Sequence, residues 1–280
     1  MKLKMKSITK MMLMLILTAS VFTACKKDDD DAKVAVQLTD DPFPMGMVAK
    51  AEIGVAKIEL KDANGNYVTV FEGDTQVNMV DYTNGATAEV SVQSLPEGTY
   101  NEARITLNAA SVTLTNNEHF DASASVNHAY TVQVNPAIEV TQGDTEELLL
   151  DLDLSDTFSF SGSFMGGWFN SVADITGIGS CHPDFRAVSL SHTGSVEGQV
   201  VDANGNGVAY AYVSVSYDYD GDGHADSVST ICDASGHYAI IGLPEGTYTV
   251  EVEADQHATA DVSNVSVSVQ HETTVDVTVN

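Results

Sequence analysis

Residues 243–252 read LPEGTYTVEV, a corner followed by a strand. In the corner, the leucine can close a hydrophobic core while the proline and the glycine bend the chain. Tyr248 then starts a period of two that continues at Val250 and Val252. Strict alternation is typical of a strand with one buried and one wet face. The stretch therefore predicts a corner that leads into a half-buried β-strand.

The same corner occurs a second time. LPEGTY stands at 95–100 and at 243–248, and DANGN stands at 62–66 and at 202–206. Asn-Gly is a strong hairpin turn because both residues tolerate positive φ. In each corner the tyrosine can bury its ring while its hydroxyl bonds back to the chain, as in the tyrosine corner of Greek-key sandwiches. These repeated strings are predicted to be structural devices that two halves of the chain share.

Alternation of apolar and polar residues, with a period of two, dominates the rest of the chain. Many short strands without intervening helices predict an all-β fold of two antiparallel β-sandwich domains. The alternating apolar residues outside the corners are Val34, Val36 and Leu38, then Leu148, Leu150, Leu152 and Leu154 against Asp151 and Asp153, then Val213, Val215 and Tyr217, and finally Val275, Val277 and Val279.

Residues 48–60 fit this pattern less well. Ile53 and Val55 are out of phase with Ile58 and Leu60. The change of phase predicts either a β-bulge, which inserts one extra residue into a strand, or a break in the strand. A helix over the same residues is the alternative.

The N-terminus has the pattern of a secretory signal. A basic segment with four lysines precedes an apolar run and small residues, and Cys25 follows. The ending FTAC resembles the bacterial lipobox, which implies removal of residues 1–24 and acylation of Cys25. An ordinary secreted protein with an incidental cysteine is the alternative. Residues 25–32, with four consecutive aspartates, are expected to be a solvated tether, and they resemble the export signal of surface lipoproteins of the Bacteroidota. The expected location is the outer membrane, lipid-anchored and facing the cell exterior.

The charge balance excludes one class of partner. The chain has 12 Lys+Arg against 40 Asp+Glu, a net charge of −28. Such a surface repels nucleic acid and anionic lipid, and it favours cation binding. Disorder is not expected, because 43% of the residues are hydrophobic and they alternate over long stretches.

Residues 194–280 resemble the carboxypeptidase regulatory-like domain. The resemblance rests on GSVEGQVVD at 194–202, DASGHY at 233–238 and GLPEGTY at 242–248. It implies a prealbumin-like sandwich of the carbohydrate-binding-like group. It also implies a non-catalytic module, since this domain is the appendage of the peptidase.

Residues 33–191 resemble the lipoprotein domain DUF4382, and the boundary between the domains is expected near Ser191–Gly194. The matching stretches are VQLTDDP at 36–42, VAKIEL at 55–60, LPEGTY at 95–100 followed by ARITL, and FRAV at 185–188. This resemblance implies a second β-sandwich domain and no particular activity.

The sharpest chemical motif is DYDGDGHAD at 218–226. Aspartates at alternate positions can converge on one cation if the loop turns at Gly223. The candidate ligands are Asp218, Asp220, Asp222, His224 and Asp226. Position 12 of an EF-hand loop would be Ser229 instead of glutamate, so the prediction is weak, structural Ca²⁺ binding. A solvated acidic hairpin is the alternative.

Two further features lie near the end of the first domain. Residues 157–180 break the alternation, which predicts a long irregular loop. Its aromatic residues could stack on a ligand, with Phe164, Trp168 and Phe169 as candidates, or could plug the sandwich. Once Cys25 is acylated, Cys181 and Cys232 remain and could form a disulfide.

The sequence contains no HExxH, GxSxG, P-loop or Rossmann motif. We therefore expect a protein that is not an enzyme but a cell-surface binding or adhesion module for a glycan or a surface partner. The alternative is a structural or assembly subunit of a surface complex or fimbria-like structure that contacts only protein.

Overall fold

The computed structural model describes residues 31–41, 47–122, 127–162, 175–219 and 223–280. Across these residues the chain forms nineteen strands, one α-helix of four residues and two short 3-10 helices, Met79–Tyr82 and Leu190–His192, which confirms the all-β prediction. No helix among the described residues is long and apolar enough to cross a bilayer. The first eleven strands and the helix are β1 (Lys33–Asp41), β2 (Val48–Asp62), β3 (Tyr67–Asn78), β4 (Ala88–Ser94), β5 (Gly98–Leu114), β6 (His119–Asp121), β7 (Ala129–Val140), β8 (Thr145–Asp153), α1 (Leu154–Thr157), β9 (Phe158–Gly162), β10 (Ile175–Cys181) and β11 (Asp184–Ser189). The remaining strands are β12 (Thr193–Val201), β13 (Tyr212–Tyr217), β14 (Asp226–Ile231), β15 (His237–Pro244), β16 (Gly246–Glu253), β17 (Ala260–Val267), β18 (Glu272–Thr274) and β19 (Val277–Thr278).

The N-terminal sandwich is one folded sheet. Its strand order is β3-β2-β5-β7-β11-β8-β1-β4, with β6 beside β5. A single pairing, Ala187 with Val134, joins the two halves of the sheet, which enclose one hydrophobic core. Two pairings are parallel, β1 with β8 and β7 with β11. The sheet is therefore mixed. Strands far apart in sequence can pair in parallel because a long connection between them allows the chain to return in the same direction.

The out-of-phase segment is a bulged strand. β2 shifts register between Val55 and Lys57 against both of its neighbours. As a result Ile53, Val55, Ile58 and Leu60 all lie in the core, none of them more than 1% exposed. The bulge prediction is confirmed, and the helix alternative is wrong.

Strand β8 was expected to have one solvent-exposed face, but both of its faces are buried. In β8, Leu148, Leu150 and Leu152 enter the N-terminal core as the alternation predicts. The opposite face is also buried, because it meets the C-terminal domain: Leu149 is fully buried and Asp151 is only 5% exposed. The pattern of leucine and aspartate thus marks a strand between two domains, with the Asp151 carboxylate buried.

The C-terminal sandwich has two four-stranded sheets. Strands β15-β12-β18, with β19 beside β12, pack against β14-β13-β16-β17 in a prealbumin-like arrangement. Gly198 on β12 allows a close approach of two backbones, because a Cβ there would overlap the carbonyl of Val275. Strands β14 and β15 are edges of these sheets.

The stretch predicted to be irregular contains two strands. Residues 158–162 and 175–181 pair as the hairpin β9–β10, so the prediction of a loop over 157–180 is wrong at both ends. Phe158 is buried and Phe160 packs against the N-terminal core, as in the plug alternative. Residues 163–174, with the three aromatic residues proposed for stacking, lie outside the described residues.

Both tyrosine corners form as predicted. The hydroxyl of Tyr100 donates to the carbonyl of Pro96 at 3.0 Å, and that of Tyr248 donates to the carbonyl of Pro244 at 2.7 Å. The rings of both tyrosines are buried. Each corner therefore ties the turn to the strand that follows it.

Tyr100→Phe and Tyr248→Phe should each lower the free energy of unfolding by about 0.5–1.5 kcal/mol, because each removes one buried hydrogen bond without changing the ring. Urea titration followed by circular dichroism measures this. Tyr210→Phe is the matched control, since Tyr210 is 73% exposed and its change should stay within about 0.5 kcal/mol. Equal effects at all three positions would contradict the role of the corners.

Candidate functional site

A buried arginine joins the two domains. Arg186 on β11 donates to Asp151 Oδ2 from Nη2 at 2.6 Å and from Nε at 3.2 Å. It also reaches the C-terminal domain, donating to the carbonyls of Gly242 at 2.6 Å and Ile241 at 3.2 Å and to the Tyr217 hydroxyl at 3.2 Å. Arg186 is paired in register with Asp151 on β8, so the sheet places charge and counter-charge side by side.

Two more side chains of the N-terminal domain bind strand edges of the C-terminal domain. Asp41 accepts hydrogen bonds from the backbone N of Ser229 on β14, at 2.9 Å, and from its hydroxyl. Asn84 uses both ends of its amide on β15: it donates to the carbonyl of His237 at 3.2 Å and accepts from the N of Ala239 at 2.6 Å. Edge strands leave backbone groups without a partner, and here side chains from the other domain satisfy them.

We call this contact surface the interdomain seam. Its residues are Asp41, Asn84, Asp151 and Arg186 from the N-terminal domain and Tyr217, Ser229, His237, Ala239, Ile241 and Gly242 from the C-terminal domain.

An acidic cluster lies at the seam. β1 and β8 run in parallel and end together, which places Asp40 and Asp41 beside Asp151 and Asp153. Burial, reinforced by the negative charge of Asp151, raises the pKa of Asp40 and of Asp41 well above the usual range. Burial also raises the pKa of Asp153. Arg186 is the cation hydrogen-bonded within this cluster, so the cluster favours the uptake of further positive charge.

A polar groove opens on the outer face of the N-terminal sandwich. Its volume is about 340 Å³, within the range typical of small-molecule sites. Asn108 donates from Nδ2 to Asp74 at 2.9 Å, and its amide occupies the space beside Gly54, where a Cβ would overlap Oδ1. The groove is lined by Glu52, Gly54, Gln76, Asn108, Ala109, Ala110, Ser111 and Asp121. Carboxylates, amides and a hydroxyl without a basic group suit a ligand rich in hydroxyls.

The structure describes only part of the predicted calcium loop. The loop turns at Gly223, whose φ is +90° and whose N donates to Asp218 Oδ2 at 3.0 Å. Asp226 opens β14 opposite Tyr217. Asp220 and Asp222 lie outside the described residues. Within the described part of the chain, no three acidic, histidine or cysteine side chains are grouped to hold a metal ion, so calcium binding by the loop stays a prediction.

The two cysteines proposed for a disulfide lie in the cores of different domains. Cys181 is buried in the N-terminal core and Cys232 in the C-terminal core, and no disulfide joins them. The two domains are thus held together by the non-covalent seam. Cys25 lies outside the described residues.

Sequence reasoning missed the seam. TDDP and FRAV were noted only as carriers of a family resemblance, yet they contain Asp40, Asp41 and Arg186. One signal could have found them: Arg186 stands between Phe185 and Ala187 in a short apolar strand. A charged residue in such a strand is buried only with a partner.

Two domain families match the chain. The domain of unknown function DUF4382 matches residues 31–163, and the carboxypeptidase regulatory-like domain matches residues 195–280. The chain therefore contains both domains that the sequence resembled. Strand β11 lies beyond the DUF4382 match but belongs to the same sheet. No curated protein matches the chain.

Among solved structures, the chain is similar to the major pilin subunit BcpA of Bacillus cereus, with 11% identity over 89% of this chain and 69% of that one and a TM-score of 0.25. It is also similar to GBS52, the minor pilin of Streptococcus agalactiae, with 12% identity over 88% and 94% and a TM-score of 0.24. The chain is also similar to a chain of a type II cohesin–X-dockerin complex of Acetivibrio cellulolyticus. The identity is 21% over 31% of this chain and 56% of the other chain, with a TM-score of 0.24. The chain thus spans little more than half of this last protein. None of these TM-scores indicates a shared overall fold.

Arg186→Met should lower the free energy of unfolding by about 3–5 kcal/mol, because it leaves the buried Asp151 carboxylate without its partner. Arg104→Met is the control: the Arg104 side chain is 32% exposed, and its buried partner Glu59 keeps a second cation in Lys57, so the loss should be smaller, about 1 kcal/mol. Urea titration of both variants gives the comparison. Replacing both buried partners, Arg186→Met with Asp151→Leu, should recover much of the loss. Equal losses in the two single variants would show that the seam does not hold the domains.

Proposed function

We propose that the chain is a lipid-anchored, non-catalytic binding module at the cell surface, in which the two sandwiches act as one rigid arm. The interdomain seam carries this proposal. Side chains of one domain close the strand edges of the other, and Arg186 is buried between them. Domains joined in this way do not swing freely, so a ligand bound by one is held at a fixed position relative to the other. The acidic segment 25–32 and acylated Cys25 would attach the arm to the membrane.

The ligand that best fits the arm is a glycan bound in the polar groove. Sugar hydroxyls both donate and accept hydrogen bonds, and the groove presents carboxylate acceptors beside an amide group that does both. Glu52 and Asp121 are the carboxylates, and Gln76 is the amide that remains for a ligand, because Asn108 donates to Asp74 and its Oδ1 is buried. The group's general description as carbohydrate-binding-like concerns the other domain, so this groove is a separate site on the DUF4382 domain.

Assembly through strand addition has less support. A partner that extends a sheet needs a free strand edge. In the C-terminal domain, hydrogen bonds from the N-terminal domain occupy backbone groups of β14 and β15. Other edges stay open, the longest being β3 (Tyr67–Asn78) of the N-terminal sheet, but β3 shifts register twice against β2 and β17 (Ala260–Val267) shifts once against β16. Irregular edges of this kind are poor templates for a fibre.

A glycan array probed with the fragment 26–280, which lacks the lipid-bearing cysteine, should identify a bound saccharide. Gln76→Ala combined with Asp121→Asn should weaken that binding at least tenfold, because both hydrogen-bonding side chains face the groove. Gln93→Ala is the control, since Gln93 is exposed on β4 and does not line the groove. If no glycan binds and a defined protein partner co-purifies with the chain instead, the assembly alternative replaces this proposal.

Cys25→Ser should release the protein from the membrane fraction, because a serine cannot carry the thioether-linked lipid. Fractionation of cells that express the full chain, with mass spectrometry of the mature N-terminus, measures this. Cys232→Ser is the matched control and should leave the protein in the membrane fraction. A mature N-terminus without lipid at residue 25 would contradict the anchor.

A further inference from the structure

Four carboxyl groups meet one guanidinium inside the interdomain seam. β1 and β8 run in parallel and end together, so Asp40 and Asp41 lie beside Asp151 and Asp153. Arg186 pairs with Asp151 Oδ2, and its Nη1 and Nη2 also donate to two carbonyls of the C-terminal domain. If all four carboxyl groups were ionised, four negative charges would face the one positive charge of Arg186 in a buried contact between the domains.

Asp40 has the least compensation for its charge within this cluster. The residue is 5% exposed, and the backbone N–H of Leu154 is the group that favours its ionised form. Asp41 provides the contrast, because both of its oxygens accept hydrogen bonds from Ser229. Burial, followed by the negative charge of Asp151, raises the pKa of Asp40 well above its usual range. Asp40 therefore keeps its proton at pH values at which an exposed aspartate is ionised.

The space beside Asp40 is too small to hydrate a further charge. A narrow cavity between the domains, lined by Asp40, Asp151 and Thr230, has a volume of about 10 Å³, close to the space of one water-sized sphere. Oδ1 of Asp151 and the hydroxyl of Thr230 are buried there without a hydrogen-bond partner among the described residues. A protonated carboxyl group carries an O–H donor. A proton on Asp40 thus removes a charge and supplies a donor beside acceptors that have none.

The groups around the cluster are mostly acidic. Each element packed against it contributes side chains that titrate, and Arg186 is the one cation in the set. Besides the four aspartates of β1 and β8, the set comprises Asp156 in α1, Asp184 and Arg186 on β11, Tyr212 and Tyr217 on β13, Tyr219, and Asp226 on β14.

We propose that the interdomain seam is a pH-sensitive lock: Asp40 is protonated while the two sandwiches are docked, and its ionisation at higher pH releases the C-terminal sandwich from the N-terminal one. The arm of the proposed function is then rigid at mildly acidic pH and hinged at alkaline pH. The lock depends on the seam and not on the groove, so it holds whether or not the chain binds a glycan.

The direction of the pH effect follows from proton uptake on docking. An aspartate in the undocked or unfolded chain has a pKa of about 4. The stabilisation is complete below that pH and is lost as the pH rises through the higher pKa that Asp40 has in the seam. The raised pKa values of Asp41 and Asp153 act in the same direction. The seam should therefore weaken with rising pH, which is opposite to ordinary acid denaturation.

Two backbone amides report on the seam directly. The N of Ser229 and the N of Ala239 donate to Asp41 and Asn84 of the other domain, so their hydrogen exchange requires that the seam opens. Nuclear magnetic resonance of the fragment 26–280 should show that both protection factors are at least tenfold lower at pH 9 than at pH 5, since each pH unit between the two pKa values changes the docking equilibrium about tenfold. The amide of Val250, inside the C-terminal core, should keep its protection. A chelator in both buffers removes any ion bound by the loop at 218–226.

Asp40→Asn keeps the size of the side chain but cannot ionise, so its protection at Ser229 and Ala239 should be the same at both pH values. Asp255→Asn, which removes one exposed acid, is the control and should lose protection at pH 9 as the unaltered chain does. The carboxyl carbon resonance of Asp40 in the unaltered chain should report its ionisation above pH 5, and this measurement decides if Asp40→Asn does not fold. Equal protection of the unaltered chain at both pH values, an Asp40 that is already ionised at pH 5, or a folded Asp40→Asn that loses protection at pH 9 would overturn the proposal. None of these readouts involves a glycan, so such a failure leaves the groove proposal standing.

Discussion

A β-sheet of finite width ends in two strands whose outward backbone groups lack partners, and a stable protein must satisfy or shield them. In this chain the C-terminal sandwich has two such strands, β14 and β15, on the side that faces the N-terminal domain. The N-terminal domain supplies hydrogen-bonding side chains at both strands: a carboxylate at Ser229, an amide at His237 and Ala239, and a guanidinium at Ile241. These contacts are side chain to backbone, so they fix the position of one sandwich on the other without merging the sheets.

The buried charge at the seam serves orientation more than stability. Transfer of an ion pair into a low-dielectric interior costs desolvation energy that its attraction roughly offsets, and an apolar pair of similar size is often as stable. An apolar contact, however, would tolerate sliding between the two sandwiches. The guanidinium of Arg186 has donors in a fixed plane, and they are divided between Asp151 on one side and two successive carbonyls on the other. This geometry is satisfied in one relative position of the domains.

Much of the fold could be predicted from local pattern. The corners at Tyr100 and Tyr248 and the bulge in β2 follow from chemistry that acts within a few residues. The seam could not be predicted in this way. Period two in β8 shows that Asp151 and Leu148 lie on opposite faces, but it does not show that a second domain covers the aspartate face. The hairpin β9–β10 was missed for a related reason, since glycine and serine weaken a strand pattern that tertiary contacts restore. The groove was missed because Glu52, Gln76 and Asp121 come from three strands that only the sheet brings together.

The placement of the thiols determines how readily the folded protein can form a disulfide. Thiol–disulfide exchange proceeds through the thiolate. Burial, with a contribution from Asp233, raises the pKa of Cys232 to about 12, so in the folded protein almost none of this thiol is in the reactive form at neutral pH. Cys181 is buried in a separate core. Because each sulfur lies in a different core, the folded protein keeps the two thiols apart, and a bond between them requires that a core opens first.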